Sequence, residues 1–183
     1  VRIHHDAIAI DCTAQTVTVR DLDTGQEAIE HYDELLISTG ASGITPPWPG
    51  IDAEGVLQLR TLEDAAEVDR RIVAGARRAV VVGAGYIGLE VAEGLLARGL
   101  EVTVVERLDA PMAAVLDADM AGGVADAMRA AGINLRLGTA VTGFTTAAGR
   151  VTAVETAAGS LAADLVVIGL GVRPNSELAR AAN

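Results

Sequence analysis

A chain of 183 residues with a formal net charge of −11, half its residues hydrophobic, and only one Trp, two Tyr, one Phe and one Cys has room for about one ordinary domain or two small ones. A mean hydropathy of +0.35 with 21% charged residues lies outside the disordered range, and with so few rings the core must be assembled from Ala, Val, Leu and Ile. The acidic balance speaks against nucleic acid and anionic membranes as partners, because both recruit clustered cations.

Along the chain, Asp6 to Asp11, Thr16 to Asp21 and Glu27 to Tyr32 alternate like strands, with the turn signals Cys12-Thr13-Ala14-Gln15 and Asp23-Thr24-Gly25 between them, which predicts an antiparallel meander. Glu34 to Ser38 is a short apolar run leading into Thr39-Gly40 and is expected to be a buried strand entering a tight turn. Gly43 to Gly50 carries three prolines within Pro46-Pro47-Trp48-Pro49. Proline fixes φ and removes donors, so this is expected to be an extended connector and a domain boundary, with Trp48 packing between domains.

Beyond the connector, strand and helix alternate. Thr61 with Asp64 forms a capping-box start for a helix running to Val73 and stopping at Gly75. Ala79 to Val82 is a continuous apolar run of the buried parallel-strand kind, Gly83 to Gly88 opens a helix that stops at Gly99, and Glu101 to Glu106 is a second strand. Asp117 to Ala131 is a helix ending at Gly132, and 133–146, 151–157 and 164–170 are further strands, with a three-stranded antiparallel excursion over 141–163. The expected class is α/β, a three-layer Rossmann-like domain over 56–172 with antiparallel strands before it.

Several chemistries are excluded by residue type. All fourteen basic residues are Arg, so Schiff-base lysines, the P-loop lysine and a Tyr/Lys dehydrogenase pair are absent. One Cys forms no intramolecular disulfide, and no Cys/His cluster has zinc spacing, so no metal site is expected. Cys12 has no local cation or second thiol to lower its pKa, and His4, His5 and His31 have no partner at informative spacing; all four are expected to be non-catalytic. No apolar run nears the ~18 residues of a membrane span and no secretory signal pattern opens the chain, which points to a cytoplasmic location. The first residue is Val1, as expected of a piece of a longer polypeptide.

The chemistry concentrates in Gly83-Ala84-Gly85-Tyr86-Ile87-Gly88. Alone, GxGxxG is a weak signal; here it follows a strand, opens a helix and precedes a second strand ending in the acid Glu106, about 20 residues on. Gly83 allows the tight turn, Gly85 leaves room for backbone to approach a pyrophosphate, and Gly88 lets the helix pack on the sheet. The helix start supplies N–H donors and the positive end of a dipole. Glu106 would accept hydrogen bonds from an adenosine ribose diol and repel a 2′-phosphate, favouring NAD(H) over NADP(H), while Arg107 beside it opposes that preference.

Tyr32 to Ala41, the Pro-Pro-Trp-Pro-Gly connector, Gly83 to Glu90, and Asp164 to Asn175 occur in that order, and together the chain resembles the pyridine nucleotide-disulfide oxidoreductase family of FAD enzymes over nearly its whole length. Ala9-Ile10-Asp11, Thr16 to Val19 and Leu22 to Gly25 resemble the coenzyme A-disulfide reductase and NADH oxidase branch most, with the ferredoxin reductase branch as rival. The resemblance implies residues 1–45 as part of an FAD-binding domain, 46–55 as connector, 56–172 as the NAD(H)-binding domain and 173–183 as a poorly anchored return to the FAD domain.

For the sites, the resemblance implies Gly83, Gly85, Ile87, Gly88, Glu106 and Arg107 at NAD, Tyr86 as an aromatic gate over the flavin, Glu90 as an acid near nicotinamide and flavin, and Gly169 with Gly171 flanking the nicotinamide. On its own residues Tyr86 is also readable as a plain helix-surface side chain. Ala7, Thr39 and Gly40 match positions that contact FAD. The family's FAD-binding glycine fingerprint and redox Cys, with the Lys that would pair with Glu90, fall before Val1; its Gly-Asp flavin motif and dimerisation domain fall after Asn183. No catalytic residue is therefore expected within the chain. The implied function is the NAD(H)-binding part of an enzyme passing hydride from NADH to FAD and on to a disulfide, a coenzyme A-linked substrate or oxygen. The alternatives are a ferredoxin- or rubredoxin-type NADH-dependent reductase and a stand-alone NAD(H)-binding module. The implied partners are the remainder of its own polypeptide, a small-molecule or disulfide acceptor, and a second copy in a homodimer.

Overall fold

A computed structural model describes residues 1–182. The chain divides into two units, one of Val1–Ser42 together with the chain from Val172 onward, the other of Gly43–Gly171.

The first unit is built on a meander of β1 (His5–Asp11), β2 (Thr16–Asp21) and β3 (Glu27–His31), paired antiparallel in the order β1-β2-β3. Its turns are closed by aspartates: Asp11 Oδ1 accepts from the Thr13 and Ala14 amides at 2.9 and 2.8 Å, and Asp21 Oδ1 from those of Asp23 and Thr24 at 2.8 and 3.0 Å. Such Asx turns substitute a side-chain oxygen for a backbone acceptor. The Glu34–Ser38 run is not a strand. It is irregular, and Leu36 is 90% exposed. No strand among the described residues pairs with it, and a lone extended segment leaves its backbone groups to water.

β4 (Ala41–Gly43) then leads into the second unit. Its elements are β5 (Val56–Gln58), α1 (Leu62–Val73), β6 (Arg78–Val82), α2 (Tyr86–Ala97), β7 (Glu101–Val105), α3 (Ala118–Ala130), β8 (Asn134–Arg136), β9 (Val141–Ala147), β10 (Arg150–Thr156), β11 (Gly159–Ala162) and β12 (Leu165–Ile168). A five-stranded parallel sheet in the order β5-β12-β6-β7-β8 forms the middle layer. Strand alternation sends Ala79, Val81, Val102, Val104, Leu165 and Val167 to one face, where Val91, Ala92 and Leu95 of α2 and Met128 of α3 cover them. Val80, Val82, Val105, Val166 and Ile168 point the other way, onto Val141, Phe144, Val151 and Val154 of the antiparallel β11-β10-β9 sheet. Both faces of the parallel sheet are thus buried, which is why its strands read as unbroken apolar runs. The three-layer α/β class and the antiparallel excursion expected from the sequence are both present.

Local chemistry sets the helix ends. Thr61 caps α1, its Oγ1 accepting from the Asp64 amide at 3.2 Å while Asp64 Oδ2 accepts from the Thr61 amide at 2.9 Å. These backbone donors hold the Asp64 carboxyl below its ordinary range. Asp117 caps α3 through the Met120 amide at 3.0 Å. Asp164, expected to open a strand, instead sits before β12 and accepts from the Arg77 and Arg78 amides at 3.1 and 3.0 Å and from the Arg78 guanidinium at 2.5 Å. The Arg78 hydrogen bonds bring its carboxyl down to about 2.

The tail returns to the first unit as β13 (Val172–Pro174) and the short α4 (Glu177–Ala181). β13 pairs with β4. Asn175 holds the tail: its amide donates to Gly40 O at 2.9 Å, its Nδ2 donates to Thr39 O at 3.0 Å, and its Oδ1 accepts from Ser42 Oγ at 2.8 Å. The expectation of a poorly anchored tail is corrected by these bonds.

Candidate functional site

The second unit carries a cleft of about 700 Å³ at the ends of β6, β7 and β12, within the range of nucleotide-sized pockets. Its floor is the glycine turn between β6 and α2. Gly83 adopts φ +105°, and a Cβ there would lie 2.5 Å from Gly169 O. A Cβ on Gly88 would lie 2.0 Å from Gly83 O. These two glycines are required by the fold itself, since each touches backbone that cannot yield. Gly169 completes the contact, with space for a Cβ only 3.3 Å from Gly88 Cα, and its amide donates to Val82 O at 2.7 Å.

Gly85 is different. Its φ of −83° and ψ of −174° suit any residue, and a Cβ built on it meets nothing within 4 Å. No contact among the described residues calls for glycine there, and the space it leaves opens into the cleft. Gly85 is also the N-cap of α2, and the helix starts with no side-chain cap and no acid in its first turn, whereas α1 and α3 spend a side-chain oxygen on their N-terminal amides. The leading N–H groups of α2 are therefore left without a side-chain acceptor, beside a space that a residue larger than glycine would fill. An anionic diphosphate with its dinucleotide fits this cradle.

Of the residues expected at the nucleotide, Gly83, Gly85, Tyr86, Ile87, Glu106, Arg107, Gly169 and Gly171 line this cleft together. Gly88 supports it from behind. Glu90 does not line it: the side chain is exposed on α2 and borders a second, apolar groove between α1 and α2 with Val68, Ile72 and Leu95, where Asp69 and Arg98 form an ion pair at 2.5 Å. Glu90 lies one helical turn along α2 from Tyr86, about 6 Å beyond the helix start that borders the cleft, and Ile87 borders both the cleft and the groove. Tyr86 is 64% exposed at the helix start.

Glu106 is held more firmly than its sequence position suggests. Oε2 accepts from the Ala84 amide and Oε1 from the Leu108 amide, both at 2.8 Å. Met112 N donates to Ala84 O at 2.9 Å, so both polar backbone groups of the buried Ala84 are met by the segment following β7. The carboxylate braces the glycine turn from below as well as facing the cleft.

Three parts of the wall were not legible as site. Ile44, Pro46 and Trp48 of the proline segment line the cleft, and Trp48 stands edge-on to Phe144, ring centres 6.0 Å apart. The segment is a wall of the second unit, and Trp48 packs on a residue of that same unit. Thr139, Ala140 and Val141 form the opposite rim, because the run expected as one strand over 133–146 breaks at Gly138, φ +59°, where Gly138 N donates to Leu108 O and Thr139 N to Glu106 O. Leu108 joins them through the bend after β7.

Ala7, Thr39 and Gly40 lie in the first unit. Ala7 is exposed in β1 opposite Val19. Gly40 turns with φ +71°, and Thr39 Oγ1 donates to Asn175 O. The three line neither the cleft nor the groove. Asn175, the residue that organises this turn, was visible only as the end of a motif.

A parallel sheet with a glycine turn opening a helix at its carboxyl edge is the architecture of Rossmann-type domains. A family model described as pyridine nucleotide-disulphide oxidoreductase matches residues 1–183, and the chain belongs to that family. It is 43% identical over 173 residues to a rhodocoxin reductase of Rhodococcus erythropolis, covering 94% of this chain and 39% of that one. It is 36% identical over 179 residues to an NADH oxidase of Enterococcus faecalis, covering 97% and 40%. Among solved structures, a NAD-dependent persulfide reductase from A. fulgidus superposes with a TM-score of 0.89 at 40% identity, over 97% of this chain and 32% of that one. A water-forming NADH oxidase from Lactobacillus brevis, solved bound to NADH, superposes with a TM-score of 0.85 at 34% identity, over 96% and 39%. The chain thus spans about 40% of the length of the curated relatives it matches.

Proposed function

We propose that this chain is the NAD(H)-binding segment of a flavin-dependent oxidoreductase, one that moves hydride from NADH to FAD and on to a disulfide, a coenzyme A-linked substrate or oxygen. The observation that carries the reading is Gly85: a glycine that no contact among the described residues requires, at a helix start without a side-chain cap, in a family one of whose solved members holds NADH. The bound nicotinamide would supply the hydride chemistry. The chain's own residues bind and orient. The leading amides of α2 hold the diphosphate, Gly85 clears its path, Glu106 accepts from a ribose diol, and Tyr86 with Ile44, Gly169 and Gly171 bounds the nicotinamide end. Glu106 favours NAD(H), since a carboxylate repels a 2′-phosphate.

Thr39, Gly40 and Ala7 would contribute one edge of the FAD site, the remainder coming from the rest of the polypeptide, and Glu90 would act near the flavin from one turn into α2. The whole protein is proposed to be a cytoplasmic homodimer with its redox Cys outside this segment. A second reading of the electron acceptor, a ferredoxin-type iron–sulfur protein, is favoured by the 43% identity to a rhodocoxin reductase.

Trp48 makes the binding test direct. It is the sole tryptophan and stands in the cleft wall, so reduced nicotinamide bound there quenches its emission by energy transfer. Titrating the 183-residue chain with NADH is expected to give saturable quenching and a raised melting temperature, with a colourless, FAD-free sample. Absence of both effects overturns the reading. Glu90→Ala is expected to leave this titration unchanged.

A further inference from the structure

The wall that the proline segment contributes to the cleft has a side chain suited to the ligand's reacting ring, and this inference rests on the reading of the cleft as a dinucleotide site. We propose that Trp48 is a positioning residue for the nicotinamide: its indole N–H donates to the carboxamide oxygen, so that the cleft orients the ring and selects dinucleotides that carry a carbonyl there.

Three observations combine. The first is place. Ile44, Pro46 and Trp48 line the cleft with Gly169, Leu170 and Gly171, and Ile44 N donates to Gly171 O at 3.0 Å. This wall therefore belongs to the end of β12, whereas Glu106 follows β7, and β6 with its glycine turn lies between those two strands. A dinucleotide lies across the crevice with its diphosphate at that turn. With the ribose-facing acid on the β7 side, the β12 side is left for the nicotinamide.

The second is rigidity. Trp48 stands between Pro47 and Pro49, and a residue before proline is confined to extended backbone. Its N–H donates to Pro46 O at 2.8 Å and its carbonyl accepts from Ile51 N at 3.2 Å, while Pro49 O accepts from Phe144 N at 2.8 Å. Gly50 lets the segment lie against β9, since a Cβ there would sit 2.6 Å from Phe144 O. The half-buried indole is braced edge-on by Phe144. A side chain fixed in this way loses little further freedom when a ligand arrives.

The third is the donor itself. An indole nitrogen donates and cannot accept. Trp48 Nε1–H makes no hydrogen bond among the described residues, and no polar side-chain atom among them is both buried and unpaired, so this N–H is open to solvent. Its neighbours on the wall, Ile44, Pro46 and Leu170, have no polar side-chain atom. One unengaged donor on an apolar wall matches a flat ring with a single carbonyl substituent.

As the sole tryptophan, Trp48 gives one indole N–H cross-peak in a heteronuclear NMR spectrum of the 183-residue chain. The peak is followed during titration with NADH, with the acetylpyridine analogue of NADH, and with ADP-ribose, which lacks the nicotinamide ring; calorimetry gives the affinities. Saturating NADH is expected to move the peak downfield and slow its exchange with water. The acetylpyridine analogue, which keeps the carbonyl, should do the same, and ADP-ribose should leave the peak in place. Trp48→Phe keeps an aromatic wall without the donor and is expected to weaken NADH about three- to tenfold, the loss of one neutral hydrogen bond, with ADP-ribose unchanged within about twofold. Should that variant melt well below wild type, the peak titration decides alone. NADH binding by calorimetry with an unmoved peak, or with a peak moved equally by ADP-ribose, overturns this inference and leaves the cleft's assignment standing. So does a folded Trp48→Phe variant that weakens both ligands equally or neither. No heat and no peak movement with NADH removes the assignment and the inference with it.

Discussion

Replacing Gly85 by Ser separates what the fold needs from what a ligand needs. The backbone at Gly85 is extended, with φ −83° and ψ −174°, which is ordinary N-cap geometry, and serine exceeds glycine as a cap by a few tenths of a kcal/mol. Removing glycine's freedom from the unfolded chain adds about 0.4–1 kcal/mol. Nothing lies within 4 Å of the new Cβ, so no steric term opposes these gains. The variant is expected to be about 1 kcal/mol more stable than the parent, a rise of about 3 °C in Tm. It should nonetheless lose NADH by about 100-fold, because the added atoms occupy the diphosphate space and displace one or two charge-assisted bonds of ~1.5–3 kcal/mol each.

Gly88→Ala is the converse. Its Cβ would sit 2.0 Å from Gly83 O and 3.0 Å from Gly83 C, backbone that cannot swing aside, and overpacking of this kind costs about 3 kcal/mol, or about 9 °C in Tm. Differential scanning fluorimetry and Trp48 quenching read the two quantities on the same samples. A Gly85→Ser protein that binds NADH within threefold of the parent, or that melts several degrees below it, would refute the argument that the space beside Gly85 is reserved for a ligand.

Other expectations follow from the same structure. Glu106→Ala removes the acceptor for the buried Ala84 amide and should cost about 1–3 kcal/mol in urea unfolding, so any gain in NADPH use comes with a destabilised glycine turn. Asp164, held near 2 chiefly by Arg78 hydrogen bonds, contributes stability that is full above the ordinary carboxylate value and fades as pH falls from about 4 toward 2. Asp164→Asn should lower stability by roughly 1–2 kcal/mol at pH 7, discounted for the half-exposed Arg78 side chain, with the gap to wild type closing below pH 3 in acid unfolding curves. Thr61→Ala opens the α1 capping box and should cost about 1 kcal/mol, leaving NADH affinity unchanged.

Most of the second unit could be read from the chain. Continuous apolar runs such as Ala79–Val82 announce strands covered on both faces, and Thr61/Asp64 and Gly85 mark helix starts, because each signal depends on neighbours within a few residues. The Glu34–Ser38 run shows the limit of that logic: apolar composition predicts burial, but a strand exists only where another strand supplies its hydrogen bonds. Thr139 was hidden because one glycine with positive φ broke an apparently continuous strand.

The sequence by itself determined the order of elements, the α/β class, and the glycine turn followed by an acid, all of them consequences of local periodicity and backbone freedom. Tertiary structure decided which glycines serve the fold and which serves a ligand, since Gly83 and Gly88 are constrained by Gly169 and by each other while Gly85 faces empty space. It also decided that Glu106 is committed to Ala84 and Leu108, that Trp48 stands in the cleft wall, and that Glu90 borders the groove and not the cleft. Each of these depends on atoms distant in the chain brought within a few ångströms, and neither residue type nor spacing records such distances.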